Sequence, residues 1–203
     1  MFSLWEEIMM TGDSIVQNQA ELPQRDYYQA LYQTALTISS SLEFDQVLQS
    51  IVTSTSEAMQ VKACALRLLD EESGQLRLSA VYGLSAEYLA KGPIHLGTSQ
   101  IDSEAMAGKP VYIRDVRIDP RFQYKDAARQ EGLVSVLCIP LEVHGKYIGV
   151  LRVYTDIQTD FVEDDIQFMS VLASLAALGI ENARLYESMK STYHEVMNAF
   201  WGF

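Results

Sequence analysis

The stretch Ser135–Thr155 reads SVLCIPLEVHGKYIGVLRVYT. Two short, β-branched apolar runs flank His144-Gly145, with charged or polar residues on either side of the turn, which is the signature of a β-hairpin. Neither run alternates. Each is apolar at nearly every position, which predicts a hairpin buried on both faces, with one layer of structure above it and another below. Small ligands are commonly held between such layers, so the stretch points to a binding or sensing domain before any catalytic motif is considered.

Downstream, Phe161-Val162-Glu163-Asp164-Asp165 opens a long helix, with acids in its first turn opposing the positive helix end. Phe168, Leu172, Leu175, Ile180, Leu185 and Met189 keep it amphipathic, and the pattern carries on toward His194, further than one compact domain needs to cover a sheet. Upstream, Leu84 to Gly132 is the least regular part and holds Pro93, Pro110 and Pro120. Within it, Thr98–Ala107 and Phe122–Gln130 read as short helices, Pro110–Ile113 as a short edge strand and Asp119-Pro120 as a turn. Ligand contacts concentrate in such segments. Before it come helix Asp26–Ser40, a second helix carrying Phe44, Val47, Leu48, Ile51 and Val52, strand Val61–Leu69 and return strand Leu76–Tyr82. Residues 1–22 read as a short helix or an arm, with Leu4, Trp5, Ile8 and Met9 at helical spacing.

The chain has 203 residues, 48% of them hydrophobic, enough for one good core plus extra helices. Its formal net charge of −12 repels nucleic acid phosphates and anionic membranes, so neither is expected as a partner. Met1–Met10 (MFSLWEEIMM) lacks a basic n-region, and the apolar stretch Phe168–Ile180 is too short to span a bilayer. Cys64 and Cys138 lie inside apolar runs and read as small hydrophobes, so a cytoplasmic location is expected.

Four motifs in order carry a family resemblance: LEFDQVLQSIV at Leu42–Val52, RDVRIDPRF at Arg114–Phe122, IPLEVHGKYIGVLRV at Ile139–Val153, and FVEDDIQFMSVLA through IENARLY, ending at Tyr186. In this order and spacing, over about residues 26–190, the chain resembles the GAF domain family. The resemblance implies an α+β, GAF/PAS-like fold: a central antiparallel sheet with the N- and C-terminal helices on one face and loops plus short helices on the other, with any ligand beneath the loop layer. It gives a division into an N-terminal arm or short helix (1–25), the GAF domain (26–190) and a C-terminal helix extension (191–203). It also implies a homodimer joined through helices 26–40 and 163–190, with a downstream signalling protein as a further partner.

The resemblance covers several ligand classes, and the residues narrow them. The cyclic-nucleotide motif of the phosphodiesterase members is absent. Bilin attachment calls for a cysteine followed by histidine, whereas Cys64 precedes Ala65 and Cys138 precedes Ile139. Haem would have only His95 as an axial candidate, and a lone loop histidine is more often polar surface. Free methionine sulfoxide reductase, a GAF-type enzyme, needs a reactive cysteine in the loops over the pocket, and Leu84–Gly132 has none. No metal or cofactor is therefore expected; an unidentified small anion remains.

Arg67 interrupts an apolar strand, and alternation places it with Ala63, Ala65 and Leu69 on one face, the ligand side in the family. It reads as a clamp for a carboxylate or phosphate, as half of a structural ion pair with Asp115 or Glu142 as partner, or as a strand-end arginine reaching solvent. Tyr82, Tyr112, Phe122 and Tyr124 supply candidate aromatic walls. Arg152 interrupts the last strand in the same way and reads as facing either layer. A turn at His144-Gly145 sets Leu137 opposite Arg152 and Ser135 opposite Tyr154, which adds Ser135 and Leu137 to the candidate site. His194-Glu195 lacks the Asn-Pro that follows a kinase phosphoacceptor histidine. Phe200, Trp201 and Phe203 are instead expected to pack against Trp5, a partner subunit or an output protein. The expectation is thus a free-standing, non-catalytic bacterial sensor, with a ligand-free dimerisation scaffold as the first alternative and a GAF-type free methionine sulfoxide reductase as the second.

Overall fold

The computed structural model describes residues 27–40 and 43–201. The N-terminal arm, Trp5 and Phe203 lie outside the described residues.

Two helices in contact open the described part of the chain, α1 (Tyr27–Ser40) and α2 (Phe44–Met59). Strands β1 (Ala63–Asp70) and β2 (Gln75–Tyr82) follow as a hairpin. The middle segment supplies α3 (Ala86–Leu89), α4 (Gln100–Met106), β3 (Val111–Ile113) and α5 (Lys125–Glu131). The quoted stretch forms β4 (Ser135–Val143) and β5 (Lys146–Thr155), and α6 (Glu163–Trp201) closes the chain. The strands make one five-stranded antiparallel sheet in the order β2-β1-β5-β4-β3, with the β5 strand at its centre.

The predicted sandwich of layers is what the packing shows. On one face Cys64, Leu66, Leu137, Ile139, Leu151 and Val153 pack against the apolar sides of α2 and α6, with Leu31 and Ile38 of α1 against the same cluster. On the other face Ala63, Ala65, Val136, Cys138, Val150 and Tyr154 meet the middle segment through Tyr88, Ile94, Ile101 and Phe122. Strand alternation assigns each residue to its face, and a sheet covered twice explains strands that are apolar at successive positions.

The hairpin register differs from the expected one. His144 and Gly145 both have positive φ, 50° and 78°, the backbone that a two-residue type I′ turn requires. Past Glu142↔Tyr147, however, the pairing jumps to Leu141↔Gly149, leaving Ile148 as a bulge residue. A one-residue slip exchanges faces. Cys138, not Leu137, lies opposite Arg152, and Val136, not Ser135, lies opposite Tyr154. Gly149 follows the bulge because β1 runs so close there that a Cβ would sit 2.2 Å from the Arg67 carbonyl oxygen.

In α6 the residues Phe168, Met169, Leu172, Ala173, Ala176, Ala177, Ile180 and Ala183 form the buried stripe, spaced by three and four as a core-facing helix demands. Gly179 lets Ile38 of α1 close onto the helix, its absent Cβ leaving room only 2.4 Å from the Ile38 methyl. By length and composition α6 also meets the criteria for a membrane-crossing helix, but half of the relevant window is buried within this fold. From Arg184 to Phe200 every residue is exposed.

Replacing Gly149 with Ala should force β1 and β5 apart and cost about 1–3 kcal/mol, as overpacking in a close-packed interior does. Urea unfolding measures it, and an unchanged midpoint would show that the strands tolerate the added methyl.

Candidate functional site

The loop-side face of the sheet carries a cluster of charge. Ala65 of β1 lies directly opposite Arg152 of β5, and its small side chain leaves room for the guanidinium. Arg67, two residues along, shares that face. At Arg67 the β1–β2 pairing shifts register, so that Leu66 pairs with Ala80 and Arg67 with Leu78. The displaced β2 backbone offers the Leu76 carbonyl oxygen to Arg67 Nη1 at 3.2 Å. Bulges often re-aim side chains beside functional sites in this way.

Both arginines are buried, Arg67 to 6% and Arg152 to 2% relative exposure. Arg152 forms an ion pair with Asp102 of α4, whose side chain is fully buried. Its Nη1 also reaches Tyr154 Oη at 3.4 Å. Ser99, at the entry to α4, donates its hydroxyl to Asp102. Burial works against the Arg152 charge, but Asp102, then Tyr154 and Cys138, outweigh it and hold its pKa above the ordinary value. At Arg67 burial dominates and lowers the pKa, with Tyr154 opposing and Arg152 adding to the fall. Neither Arg67 Nε nor Arg152 Nε has a hydrogen-bond partner among the described residues. Two buried donors left unmade are costly, on the order of 1–3 kcal/mol each.

Over this floor stands a small cavity of about 10 Å³, the size of a single water. Its lining includes Arg152, Ser99, Tyr88, Lys91, Phe122 and Tyr124. Tyr88 is placed by the short helix α3, where Ser85 accepts a hydrogen bond from the Tyr88 N–H at 3.1 Å and is itself held by Glu131 of α5. Tyr124 donates its hydroxyl to the Pro93 carbonyl at 2.7 Å and closes the rim.

Of the residues singled out from sequence, Arg67, Ala65, Leu69, Phe122 and Tyr124 share the loop-side layer. The others lie elsewhere. Tyr82 is exposed at the end of β2. Tyr112 points to the helix side, edge-on to Phe161, and donates its hydroxyl to Thr159. Asp115 pairs with Arg117 at 2.6 Å beside an open groove, so it is not the partner of Arg67, and Glu142 is exposed. Ser135 donates to the Arg114 carbonyl oxygen and accepts from the Thr159 N–H, tying the start of β4 to the loop after β5. Leu137 belongs to the helix-side core. The register slip removes these last two. His95 pairs by backbone with Gln75 at the sheet edge.

Asp102, Tyr154, Tyr88 and Lys91 were not singled out. Asp102 carried one signal: in the predicted helix Thr98–Ala107 it sits next to Ile101 and three residues before Ala105, on the side that faces inward. Cys138 lies beside the cluster, its Sγ 4.0 Å from Asp102 Oδ1. Burial pushes its thiol up to about 12 and pushes that of Cys64 higher still, so both are poor thiolates at neutral pH.

A family model for the GAF domain matches residues 43–180. A Nif-specific regulatory protein of Herbaspirillum seropedicae is 25% identical over 164 residues, which cover 78% of this chain and 30% of that protein. The chain thus spans between about a sixth and a third of the length of the curated relatives it matches. Among solved structures, the GAF domain of a phosphoenolpyruvate-protein phosphotransferase from Coxiella burnetii superposes with a TM-score of 0.71 at 23% identity, covering 80% of this chain and 96% of that one. The free methionine-R-sulfoxide reductase of Neisseria meningitidis, in complex with its substrate, superposes with a TM-score of 0.68 at 24% identity, covering 79% and 91%. At these identities the structural likeness is one of fold.

Replacing Asp102 with Ala leaves Arg152 buried without its countercharge and should cost about 3–5 kcal/mol, whereas the Asp102→Ala/Arg152→Met double variant should recover most of it. Chemical denaturation of wild type, both single variants and the double variant measures the difference, and a double-variant loss equal to the sum of the two single losses would show that the pair carries no coupling.

Proposed function

Because the chain belongs to the GAF domain family, we propose that it is a non-catalytic sensing module in which a small anion, taken up between the sheet and its loop layer, biases the terminal helices of a homodimer. The observation that carries this reading is the pair of buried arginines, Arg67 and Arg152, set against the buried carboxylate of Asp102 on the same face and each keeping an unused Nε. Guanidinium groups are suited to carboxylate and phosphate oxygens. A regulatory role is in keeping with the Herbaspirillum relative, which is named as a regulatory protein. The cytoplasm of a bacterium is the setting proposed, with a further signalling protein as the output.

The cavity of about 10 Å³ is smaller than any such anion. Uptake therefore has to displace the loop layer, and that displacement is the differential state a signal needs, since a ligand shifts only an equilibrium whose two forms it binds unequally. On the opposite face α6 presents Leu185, Met189, Tyr193, Val196 and Phe200 to solvent, and α1 presents Tyr28 and Tyr32. These apolar faces on the terminal helices suit a bundle between two copies.

The small cavity also favours one other reading, a dimerisation scaffold whose pocket is filled by its own Tyr88, Phe122 and Tyr124. Sulfoxide reduction is disfavoured by the two buried thiols with their raised pKa values.

A thermal-shift and calorimetric screen of small carboxylates, phosphate and sulfate separates the readings. The expected outcome is a ligand that raises Tm, as any ligand binding only the folded state does, and whose binding is abolished in a folded Arg67→Met variant. Unchanged affinity in that variant would remove Arg67 from the site, and a screen with no ligand would leave the scaffold. Light scattering should find a dimer at micromolar concentration; a monomer there would sink the helix-bundle coupling.

A further inference from the structure

Lys91 is a third cation at this site and pairs with no carboxylate among the described residues. It follows α3 at the cavity rim and is half-buried. Its ammonium lies over the Tyr88 ring, 3.7 Å from the centroid, and 5.8 Å from that of Tyr124. The ammonium donates to the Tyr88 carbonyl oxygen at 3.2 Å. The charged groups that act on it come from every element around it: Arg67 of β1, Arg152 of β5, Asp102 of α4 and Glu131 of α5. Burial, then the two guanidinium groups, pull its pKa down to about 7, against the opposing pull of Glu131 and Asp102. Near neutral pH Lys91 is therefore a mixture of charged and neutral forms, where an ordinary lysine is fully charged.

Charge counting gives this mixture a meaning. Arg67 and Arg152 against Asp102 leave one net positive charge in the floor of the site. With Lys91 protonated there are two. Glu131, which bonds Ser85 outside the floor, keeps its negative charge and offsets part of this from the rim. Each added negative charge on the ligand favours the protonated form of Lys91, and a dianion favours it more than a monoanion does.

We propose that Lys91 is the third ligand of the bound anion, and that the site takes up a compact dianion together with a proton, so that the protein reads anion concentration and acidity jointly. This rests on the anion-sensing reading above. In the empty site the proton has left Lys91 above about pH 7 and is already present well below it. A dianion placed among the three cations restores it, so proton uptake is largest on the alkaline side and fades on the acid side. The ammonium has only to leave the face of Tyr88, and Gly92 next to it, at φ 124°, occupies backbone space open to glycine alone.

Sulfate is the right probe, because it remains a dianion across the whole range and cannot supply or accept the proton itself. Titration calorimetry of the full chain at pH 8, in two buffers of contrasting ionisation enthalpy, should show uptake approaching one proton per sulfate. Affinity should fall about fivefold between pH 7 and pH 8, as expected for a single group titrating near 7. In Lys91→Arg, whose charge is fixed, sulfate should bind with buffer-independent heat and the same affinity at both pH values. In Lys91→Met it should bind more weakly, also without proton uptake. Wild-type binding with buffer-independent heat and no pH trend would overturn the role of Lys91 and leave the anion reading standing. If sulfate fails to bind wild type and Lys91→Arg alike, the dianion proposal falls, and acetate and formate in the same titration then decide whether the anion reading falls with it.

Discussion

A guanidinium taken out of water must be given back most of what it loses, and the arrangement around Arg152 follows from that requirement. The isolated charge would cost far more than the fold's whole margin of stability. Asp102 meets it from the opposite layer, so α4 is fixed over the sheet by an electrostatic contact as much as by Ile101 and Ala105. Ser99 then holds Asp102, and Ala65 and Cys138, the cross-strand neighbours of Arg152, are small enough to admit the group. A buried pair of this kind is weak as a stabilising device, since well-packed apolar residues often do as well or better. Its presence makes more sense as a means of keeping positive charge inside a chain whose formal charge is −12.

The two faces of the sheet show how differently the same strands are used. On the helix side the strands contribute chiefly Leu, Val and Ile, and each fully buried Leu or Ile there contributes about 1.5–3 kcal/mol through the area withdrawn from water. On the loop side the packing is mixed, with tyrosines, arginines and backbone carbonyls exchanging hydrogen bonds. The first face is built to hold its shape. The second has unused donors and aromatic residues that close the gap, and it has less to lose by rearranging.

Much of this was legible in the sequence because periodicity and turn chemistry are local. The doubly buried hairpin, the long amphipathic helix and the placement of Arg67 with Ala65 follow from alternation and residue type alone. The position of Arg152 did not, for a definite reason. One bulge at Ile148 reverses which β4 residues share its face, and nothing in VHGKYIGV announces it except Gly149, whose need appears only when β1 is in place. Two of the four aromatic candidates were misplaced for a similar reason, whereas Phe122 and Tyr124 do line the cavity. Tyr112 and Tyr82 are suitable residues on the wrong face or at an open end, and a single strand residue gives no sign of which layer it meets. Asp102 and Lys91 were missed because their significance is pairwise, arising from groups brought together across tens of residues.

The hairpin tip has one more contact, His144 Nδ1 to Glu181 Oε1 at 3.6 Å. It falls within a turn of Ala183, the last buried residue of α6. Beyond that point 18 residues, from Arg184 to Trp201, continue as an unsupported rod of about 27 Å. The strand that bears Arg152 is thus joined, through its own turn, to the fulcrum of a lever. A tilt there of about 5° would carry the far end by about 2 Å, on the order of the small helix displacements through which packed interfaces switch. The sheet itself would need to move by only a fraction of that distance.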